Sequence, residues 1–333
     1  MAHWQHELAR HEKQCNLLFN QIPLMTFVGH SAGVRKLHVM DNENSFISAS
    51  QDKTLKLWSL RSFGDGSGKC DHKWTYKWHK KPVLDFCMVT SVRLVASTDS
   101  VVHVWDPMMG TTQRTFDWSG GTAGSNSADS AGVTMVRSFQ TPSSLLLAAS
   151  SEPVLKFLDV RMAKWAHDFK LTPGPHGALR SVAVSNSGEY AAVTLGSSHL
   201  SVIDLRYGQL CSTTKFGDAD IAVIEPCDAD NFLISNSQNQ SVFVFSAKMA
   251  ATCGRLPGSF EGSVCVRPHL GQLLCALSPN RVRIYNSRSS KASFTESKLR
   301  SDLFSGAINT FEILPLNRLL LFGASNGTIQ LLC

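Results

Sequence analysis

The sequence has no apolar run near the roughly 20 residues that a helix needs to cross a bilayer, and its first residues lack the pattern of a secretory signal peptide. Its nine cysteines include no Cys-x-x-Cys pair. We therefore expect reduced thiols and a cytoplasmic location rather than a disulfide framework. Charged residues make up only 17% of the chain against 43% hydrophobic residues, a composition that argues against disorder.

Signatures of several function classes are missing as well. No glycine-rich loop leads from a strand pattern into a helix pattern, so we expect no nucleotide and no other cofactor. Lys and Arg are dispersed, and the net charge of +6 is mild, which permits an acidic partner without requiring one. Basic and aromatic residues alternate over residues 73–81, but this alternation is typical of a half-buried outer strand, and we expect no nucleic-acid binding.

Short apolar runs separated by Ser, Asn, Gly and Asp recur along the whole chain, and this texture predicts an all-β fold. The clearest unit spans residues 29–58. It begins with Gly-His, contains two strand-like runs with Asp52 in the turn between them, and ends with Trp58. A Gly-His start, a Trp end and about 40–45 residues per unit are typical of one β-propeller blade.

Four residues of this unit form a predicted structural tetrad. Asp52 is able to accept hydrogen bonds from the turn backbone and from His30, while Ser48 is able to join His30 to the indole N–H of Trp58. A His–Ser–Asp set also occurs in hydrolases, but the Asp-to-Trp spacing recurs along the chain and a catalytic triad would not. We therefore predict no catalytic residue and no enzymatic activity.

The position of the terminal Trp recurs at intervals of one blade. The equivalent positions are Trp58, Trp105, Leu158, Ile203, Phe245, Tyr285 and Leu332. The sequence therefore predicts a seven-bladed β-propeller over residues 23–333, after a short helical segment over residues 1–22. The strand at residues 24–28 precedes blade one, and the last blade has three strands, so we expect these two to pair, close the ring and complete the domain.

The tetrad decays along the chain. Blade two keeps His79, Asp99 and Trp105, with Val95 at the place expected for the strand hydroxyl. Later blades have other residues at the turn position, namely Glu152, Ser197, Asn239, Pro279 and Asn326. In those blades we expect apolar burial to hold the strands together.

One cluster in the sequence has the residue types of a metal site. It consists of Cys70, His72 and His79. With His79 assigned to the tetrad, two ligands remain, which is too few for zinc, so we predict no metal site. Three loops carry the insertions, at residues 61–72, 119–132 and 172–177, and such loops are where binding functions tend to collect.

The predicted partner site lies on the top face, where the first strands begin and the turns between second and third strands converge. Its expected residues are Ser31, Gln51, Lys80, Lys81, Thr98, Trp118 and Arg180. Lys80 and Lys81 follow His79, so we expect their backbones to be held in place. Trp118 stands where blade one has Gly29, and we expect it to be partly exposed, as an anchor beside two lysines for an acidic partner. The alternative is that the lysines are merely solvated and that Trp118 lies under the 119–132 loop.

Residues 29–60 resemble a unit of a WD-repeat propeller. More narrowly, several segments resemble the propeller of the BEACH-domain WD-repeat proteins of endosome maturation. These segments are residues 41–46, 58–62, 79–81, 105–107, 314–318 and 331–333. The resemblance covers the chain from Gln21 onward and is strongest at its two ends. It implies a C-terminal piece, or a short form, of a protein with a BEACH module.

The resemblance implies a non-catalytic scaffold in early-to-late endosome trafficking, acting through restraint of phosphatidylinositol 3-kinase activity, and in autophagy of protein aggregates. It implies that the partners are a second WD-repeat protein and the phosphatidylinositol 3-kinase complex, with peripheral, indirect contact to endosomes. The alternative is a propeller-type substrate receptor that reads an acidic, phosphorylated or ubiquitin-modified partner. A hydrolase is the third hypothesis, and converging acid–base residues in the central channel would favour it.

Overall fold

A computed structural model describes most of the propeller. The described residues are 19, 21–41, 43–61, 69–70, 72–118, 132–139, 144–162, 164–171, 178–196, 198–216, 221–227, 229–236, 241–256, 263–269, 272–277, 280–286, 293–300 and 304–333. The expected lead-in helix and most of the three expected loops lie outside these residues. Among the described residues there is no helical segment that could span a bilayer.

The described part of the chain consists of strands and their turns. In chain order the strands are β1 (Pro23–Phe27), β2 (Val34–Val39), β3 (Ser45–Ser50), β4 (Leu55–Ser59), β5 (Lys69–Cys70), β6 (His72–Tyr76), β7 (Asp85–Val89), β8 (Leu94–Thr98), β9 (Val102–Asp106), β10 (Thr111–Phe116), β11 (Met135–Ser138), β12 (Leu145–Ala149), β13 (Val154–Asp159), β14 (Trp165–Lys170), β15 (Leu179–Val184), β16 (Tyr190–Leu195), β17 (His199–Asp204), β18 (Gln209–Lys215), β19 (Ile221–Pro226), β20 (Asn231–Asn236), β21 (Ser241–Ser246), β22 (Ala251–Arg255), β23 (Ser263–His269), β24 (Gln272–Leu277), β25 (Arg281–Asn286), β26 (Ser293–Lys298), β27 (Ile308–Leu314), β28 (Leu319–Ala324) and β29 (Ile329–Leu332).

These strands form seven sheets, one for each blade. Blade one is β2-β3-β4-β6, and blades two to six are the successive groups of four from β7 to β26. Blade seven is β27-β28-β29-β1, so the first strand of the chain supplies its outer strand. Pairing of Phe27 with Ile329 and of Pro23 with Leu332 joins the two ends of the propeller. β5, from within the expected 61–72 loop, adds to β1 in parallel.

The seven positions equivalent to Trp58, which we call the blade anchors, share one register. This shared register explains why a single sequence spacing identifies all of them. Each lies on the third strand of its blade, opposite a residue of the second strand. The pairs are Phe46–Trp58, Val95–Trp105, Leu146–Leu158, Ala191–Ile203, Phe232–Phe245, Leu273–Tyr285 and Leu320–Leu332. Every anchor is at most 2% exposed. The predicted seven-bladed all-β propeller is confirmed.

The core lies between the blades rather than inside any one sheet. Ile47 and Leu57 of blade one, for example, pack with Phe86, Val95 and Trp105 of blade two. A middle strand therefore has a blade on each side, which explains why these strands are buried along almost their whole length. The innermost strands contact one another around the ring and leave a channel of about 390 Å³.

Candidate interaction surface

The tetrad of blade one is a continuous chain of hydrogen bonds. His30 Nδ1 lies 2.7 Å from Asp52 Oδ2, and His30 Nε2 lies 2.6 Å from Ser48 Oγ. The Trp58 indole donates to the same Ser48 Oγ at 2.8 Å. Burial opposes ionisation of Asp52, but hydrogen bonds from His30 and Thr54 hold its pKa below the usual value. The tetrad therefore joins β3, β4, the turn between them and the segment that leads into β2 through one buried charged network.

Blade two keeps most of this network, with a different hydroxyl from the one expected and with a longer separation of 3.5 Å between His79 Nδ1 and Asp99 Oδ2. The Trp105 indole donates to Ser97 Oγ at 2.9 Å, and His79 Nε2 lies 2.8 Å from that oxygen. The assignment of the hydroxyl position to Val95 is wrong. Val95 lies directly opposite Trp105, and Ser97 follows two residues later, as Ser48 follows Phe46 in blade one. The segment from the hydroxyl to the turn Asp is two residues shorter in blade two, from Ser97 to Asp99, than in blade one, from Ser48 to Asp52. Counting back from Asp99 by the blade-one spacing therefore points to Val95 instead of Ser97.

The later blades retain only parts of the network. Glu152 of blade three accepts the Trp118 indole N–H at 2.8 Å. Asn326 of blade seven is exposed, and its Oδ1 accepts from the backbone and hydroxyl of Thr328. The turn residues expected in blades four to six, Ser197, Asn239 and Pro279, lie outside the described residues.

The structure separates the residues expected at the partner site. Five of them are exposed at the top ends of their blades: Ser31, Gln51, Lys80, Lys81 and Arg180. The backbone N–H groups of Lys80 and Lys81 donate to Asp99 Oδ2 at 2.9 and 3.1 Å, so the tetrad of blade two holds both lysines in place. Thr98 is fully buried, and its hydroxyl donates to the Val133 carbonyl, so it presents no side chain to a partner.

The expected exposure of Trp118 is wrong, because blade three covers this side chain. Trp118 is only 6% exposed. Besides the bond to Glu152, its carbonyl accepts from Lys156 Nζ at 2.7 Å, and that ammonium lies 4.9 Å from the ring centroid. Trp165 packs edge-on at 6.1 Å. Trp118 is therefore a core residue of the junction between blades two and three.

The exposed aromatic residue at this position is Trp78, which sequence reasoning missed. Trp78 directly precedes His79 and is 67% exposed. It occupies the same place in its blade as Gly29 and Trp118, so its equivalence to them is readable from the sequence. The exposure of Trp78 is not evident from the sequence, because the alternation over residues 73–81 is typical of an outer strand. In the structure β6 ends at Tyr76, and Trp78 lies beyond it. We call Trp78, Lys80 and Lys81 the top patch.

A group of three potential metal ligands lies next to the top patch. His79, Asp99 and His103 each offer a ligand atom, and these atoms lie within 4.8 Å of one another. His103 reaches His79 only through the strand pairing of Ser97 with His103, which no motif in the sequence indicates. His79 lies 2.8 Å from Ser97 and 3.5 Å from Asp99, and His103 Nδ1 lies 3.1 Å from the Tyr76 hydroxyl. These contacts make the group part of the polar network of blade two.

The central channel is lined by charges that pair with one another. Asp85 contacts Lys36 Nζ at 2.6 Å and also bonds the Arg137 guanidinium, while Arg267 contacts Glu225 at 2.6 Å. Burial raises the pKa of the Cys87 thiol in this channel to about 12. A thiol with this pKa is protonated near neutral pH and is a poor nucleophile.

Seven sheets of four or five strands around a channel, with His–Ser–Asp–Trp tetrads, define a WD-repeat β-propeller. Residues 21–59 match the family model described as WD domain, G-beta repeat. The chain is similar over all 333 residues to WD repeat-containing protein 81 of Rattus norvegicus, at 28% identity. It is also similar over 96% of its length to Suppressor of organelle fusion 2 of Caenorhabditis elegans, at 30% identity. The expected kinship with WD-repeat proteins is thus confirmed.

The matched relatives are much longer than this chain. The matched region makes up 17% of the rat protein and 22% of the nematode protein. The similarity therefore concerns only one part of each relative.

Proposed function

We propose that this chain is a non-catalytic protein-interaction propeller that binds a partner through the top patch. The observation that carries the proposal is the 67% exposed Trp78 next to Lys80 and Lys81, whose backbones are held by Asp99. An exposed aromatic residue beside basic residues has the composition of an interface anchor. Because the lysine backbones are already ordered, a partner loses less entropy on binding them.

We further propose that the chain acts as a cytoplasmic scaffold at endosomes, in contact with membranes only through its partners. Support comes from the resemblance to propellers of endosome maturation and from a relative named Suppressor of organelle fusion 2. The proposed role is early-to-late endosome conversion through restraint of phosphatidylinositol 3-kinase activity, together with autophagy of protein aggregates. The proposed partners are a second WD-repeat protein and the kinase complex.

The chemistry of the described residues supports a binding role over a hydrolytic one. The His–Ser–Asp sets are buried and bonded within their blades, with His30 0% and Asp52 7% exposed in their side chains. Burial also raises the pKa of the Cys265 thiol in the channel to about 11. The alternative of a substrate receptor for acidic or phosphorylated partners uses the same two lysines of the top patch.

The test compares wild type with a Trp78→Ala/Lys80→Glu/Lys81→Glu variant in cells. Tagged protein is recovered, and the co-purifying endosomal, autophagy and kinase-complex proteins are quantified, while a fluorescent sensor measures phosphatidylinositol 3-phosphate on endosomes. We expect the variant to lose its partners and the lipid level to rise. Arg93→Glu, an exposed charge reversal in the β7–β8 turn on the opposite face of blade two, is the matched control.

Two results would redirect the proposal. An unchanged set of partners with the folded variant would move the site away from the top patch. Loss of phosphorylated or ubiquitin-modified clients, with no change in the endosomal lipid, would favour the substrate receptor over the trafficking scaffold.

A further inference from the structure

Four consecutive blades expose a large apolar side chain at one equivalent position on the bottom face. Their third strands end at Asp106, Asp159, Asp204 and Ser246. Three residues later stand Met109, Met162, Tyr207 and Met249, which are 73%, 49%, 73% and 72% exposed. Exposed apolar surface that is rimmed by polar residues often marks an interaction site. We call these four residues the bottom rim.

The turns that carry the bottom rim are ordered by their own hydrogen bonds. Asp159 Oδ1 accepts the backbone N–H of Arg161 at 3.0 Å, and Asp204 Oδ1 accepts that of Arg206 at 2.9 Å. In blade two the Gly110 N–H donates to the Asp106 carbonyl at 2.8 Å. The rim side chains therefore stand on well-defined turns, which reduces the ordering entropy that a partner must overcome.

An apolar groove opens between blades three and four, in the middle of the bottom rim. Its volume is about 430 Å³, within the range of sites that bind small ligands or single large side chains. Phe157 and Phe169 come from blade three and Leu205 from blade four, while the exposed Ala166 forms part of the wall. Arg206 and Gly208 also line the groove, so it opens beside Tyr207.

The charges around the groove indicate what kind of molecule fits. The residue before the rim side chain is basic in three of the four blades, as Arg161, Arg206 and Lys248. Arg161 and Arg206 pair with Asp159 and Asp204 of their own turns, whereas the turn of the exposed Lys248 has Ser246 in place of the Asp. Exposed Lys164 adds a fourth cation close to Met162. Met, Tyr and Arg are residues enriched in protein interfaces, and the flexible thioether of Met adapts to varied apolar partners. The set complements a segment that carries both carboxylates and large apolar side chains.

A protein segment fits these features better than a membrane surface does. The groove is recessed between two sheets, so a single side chain is able to enter it while a bilayer is not.

We propose that the bottom rim and the groove between blades three and four bind a peptide segment of a partner protein in which large apolar residues are flanked by Asp or Glu. The rim lies on the face opposite the top patch. The chain would therefore hold two partners at once, which goes beyond the binding role proposed above. One apolar side chain of the segment enters the groove, and the rim residues contact its neighbours.

The probe is a library of short random peptides displayed on phage and selected against the folded wild-type chain. We expect enrichment of sequences that combine Asp or Glu with Leu, Phe, Ile or Met. The most enriched sequence is then synthesised with a fluorescent label, and its Kd is measured by polarisation. Ala166→Trp, which grows an exposed wall residue into the groove, should weaken binding about tenfold or more. Gln113→Trp, at the equivalent exposed position of β10, should change the Kd by less than about twofold.

A second variant keeps the test valid if Ala166→Trp fails to fold. Met162→Ser/Tyr207→Ser changes only exposed turn residues and should also weaken binding about tenfold. The proposal is overturned if no acidic and apolar sequences are enriched, or if their binding survives both variants. It is also overturned if vesicles of phosphatidylcholine with about one third phosphatidylserine bind wild type but not the rim variant. The top-patch variant should bind the peptide like wild type, which separates this proposal from the one above.

Discussion

Blade one and blade five place an aromatic anchor at the same register and surround it in different ways. Trp58 in blade one donates a hydrogen bond to Ser48, which connects it to His30 and Asp52. Phe245 in blade five has no polar side-chain atom and packs with apolar neighbours from blades four and five, such as Val202 and Phe232. The polar tetrad requires particular residues at particular positions. The apolar anchor requires only a side chain of sufficient volume, because dispersion and burial are not directional.

The largest effect is expected from removing the apolar anchor of blade five. Phe245→Ala should lower the free energy of unfolding by about 3–5 kcal/mol, because it leaves a cavity between two blades where the ring was fully buried. Chemical denaturation measures the loss. Met249→Ala in the same blade removes an exposed side chain and should change stability by less than about 0.5 kcal/mol. A loss below that of Asp52→Ala would mean that blade five does not depend on its anchor.

The next effect tests the polar tetrad of blade one. Asp52→Ala should lower the free energy of unfolding by about 1–3 kcal/mol, because it leaves the buried His30 without its acceptor. Asn326→Ala is the matched change at the exposed turn of blade seven and should lower it by less than about 1 kcal/mol. Thermal melts of the two variants decide the point, and equal losses would remove the distinction between the two blades.

A third measurement tests whether the shared serine contributes equally to stability in blades one and two. Ser97→Ala should destabilise the protein by about 1–2 kcal/mol, because it deprives both His79 and Trp105 of their shared partner. Ser48→Ala should have a similar effect, although the two serines lie at different distances from the turn Asp in sequence. If Ser97→Ala is silent while Ser48→Ala is not, the tetrad of blade two contributes nothing to stability.

The last effect is the contribution of blade two to the pH dependence of stability. Burial, together with the nearby His79, lowers the pKa of His103 from 6.5 to about 4. Between those two values the unfolded chain binds the proton more readily than the folded one, so the stability contributed by neutral His103 is lost as pH falls from about 6.5 towards 4. The melting temperature of His103→Gln should therefore fall less between pH 7 and about pH 5 than that of wild type.

The counterpart of His103 in blade one is Lys56, since they lie opposite Ser97 and Ser48 respectively. Lys56→Gln removes no imidazole and should leave the wild-type pH dependence between pH 5 and pH 7 unchanged. Identical pH dependence in wild type and His103→Gln would show that this histidine is not held neutral by the fold.

Most of the architecture was predictable because it depends on strand register. The spacing from one anchor to the next places Phe245 and Trp58 at the same point of their blades, even though they share no chemistry. Counting residues back from the turn Asp fails where the turn changes length, as it does between Ser97 and Asp99. The position of the hydroxyl is set instead by the strand pairing opposite Trp105. The bottom-rim turns align in sequence as well, but a sequence pattern does not state how exposed Met109 or Tyr207 is.

The sequence by itself determined the blade count, the anchors and the tetrad of blade one, because residues within one blade are near neighbours in the chain and obey the two-residue period of a strand. Only the tertiary structure decided which side chains reach solvent. Trp78 and Trp118 hold the same place in successive blades. Trp118 is buried because Glu152, Lys156 and Trp165 of the next blade cover it, while Trp78 stays exposed beyond the end of β6. The neighbours that bury Trp118 lie more than 30 residues away in sequence, and only the packing of blade three against blade two brings them into contact.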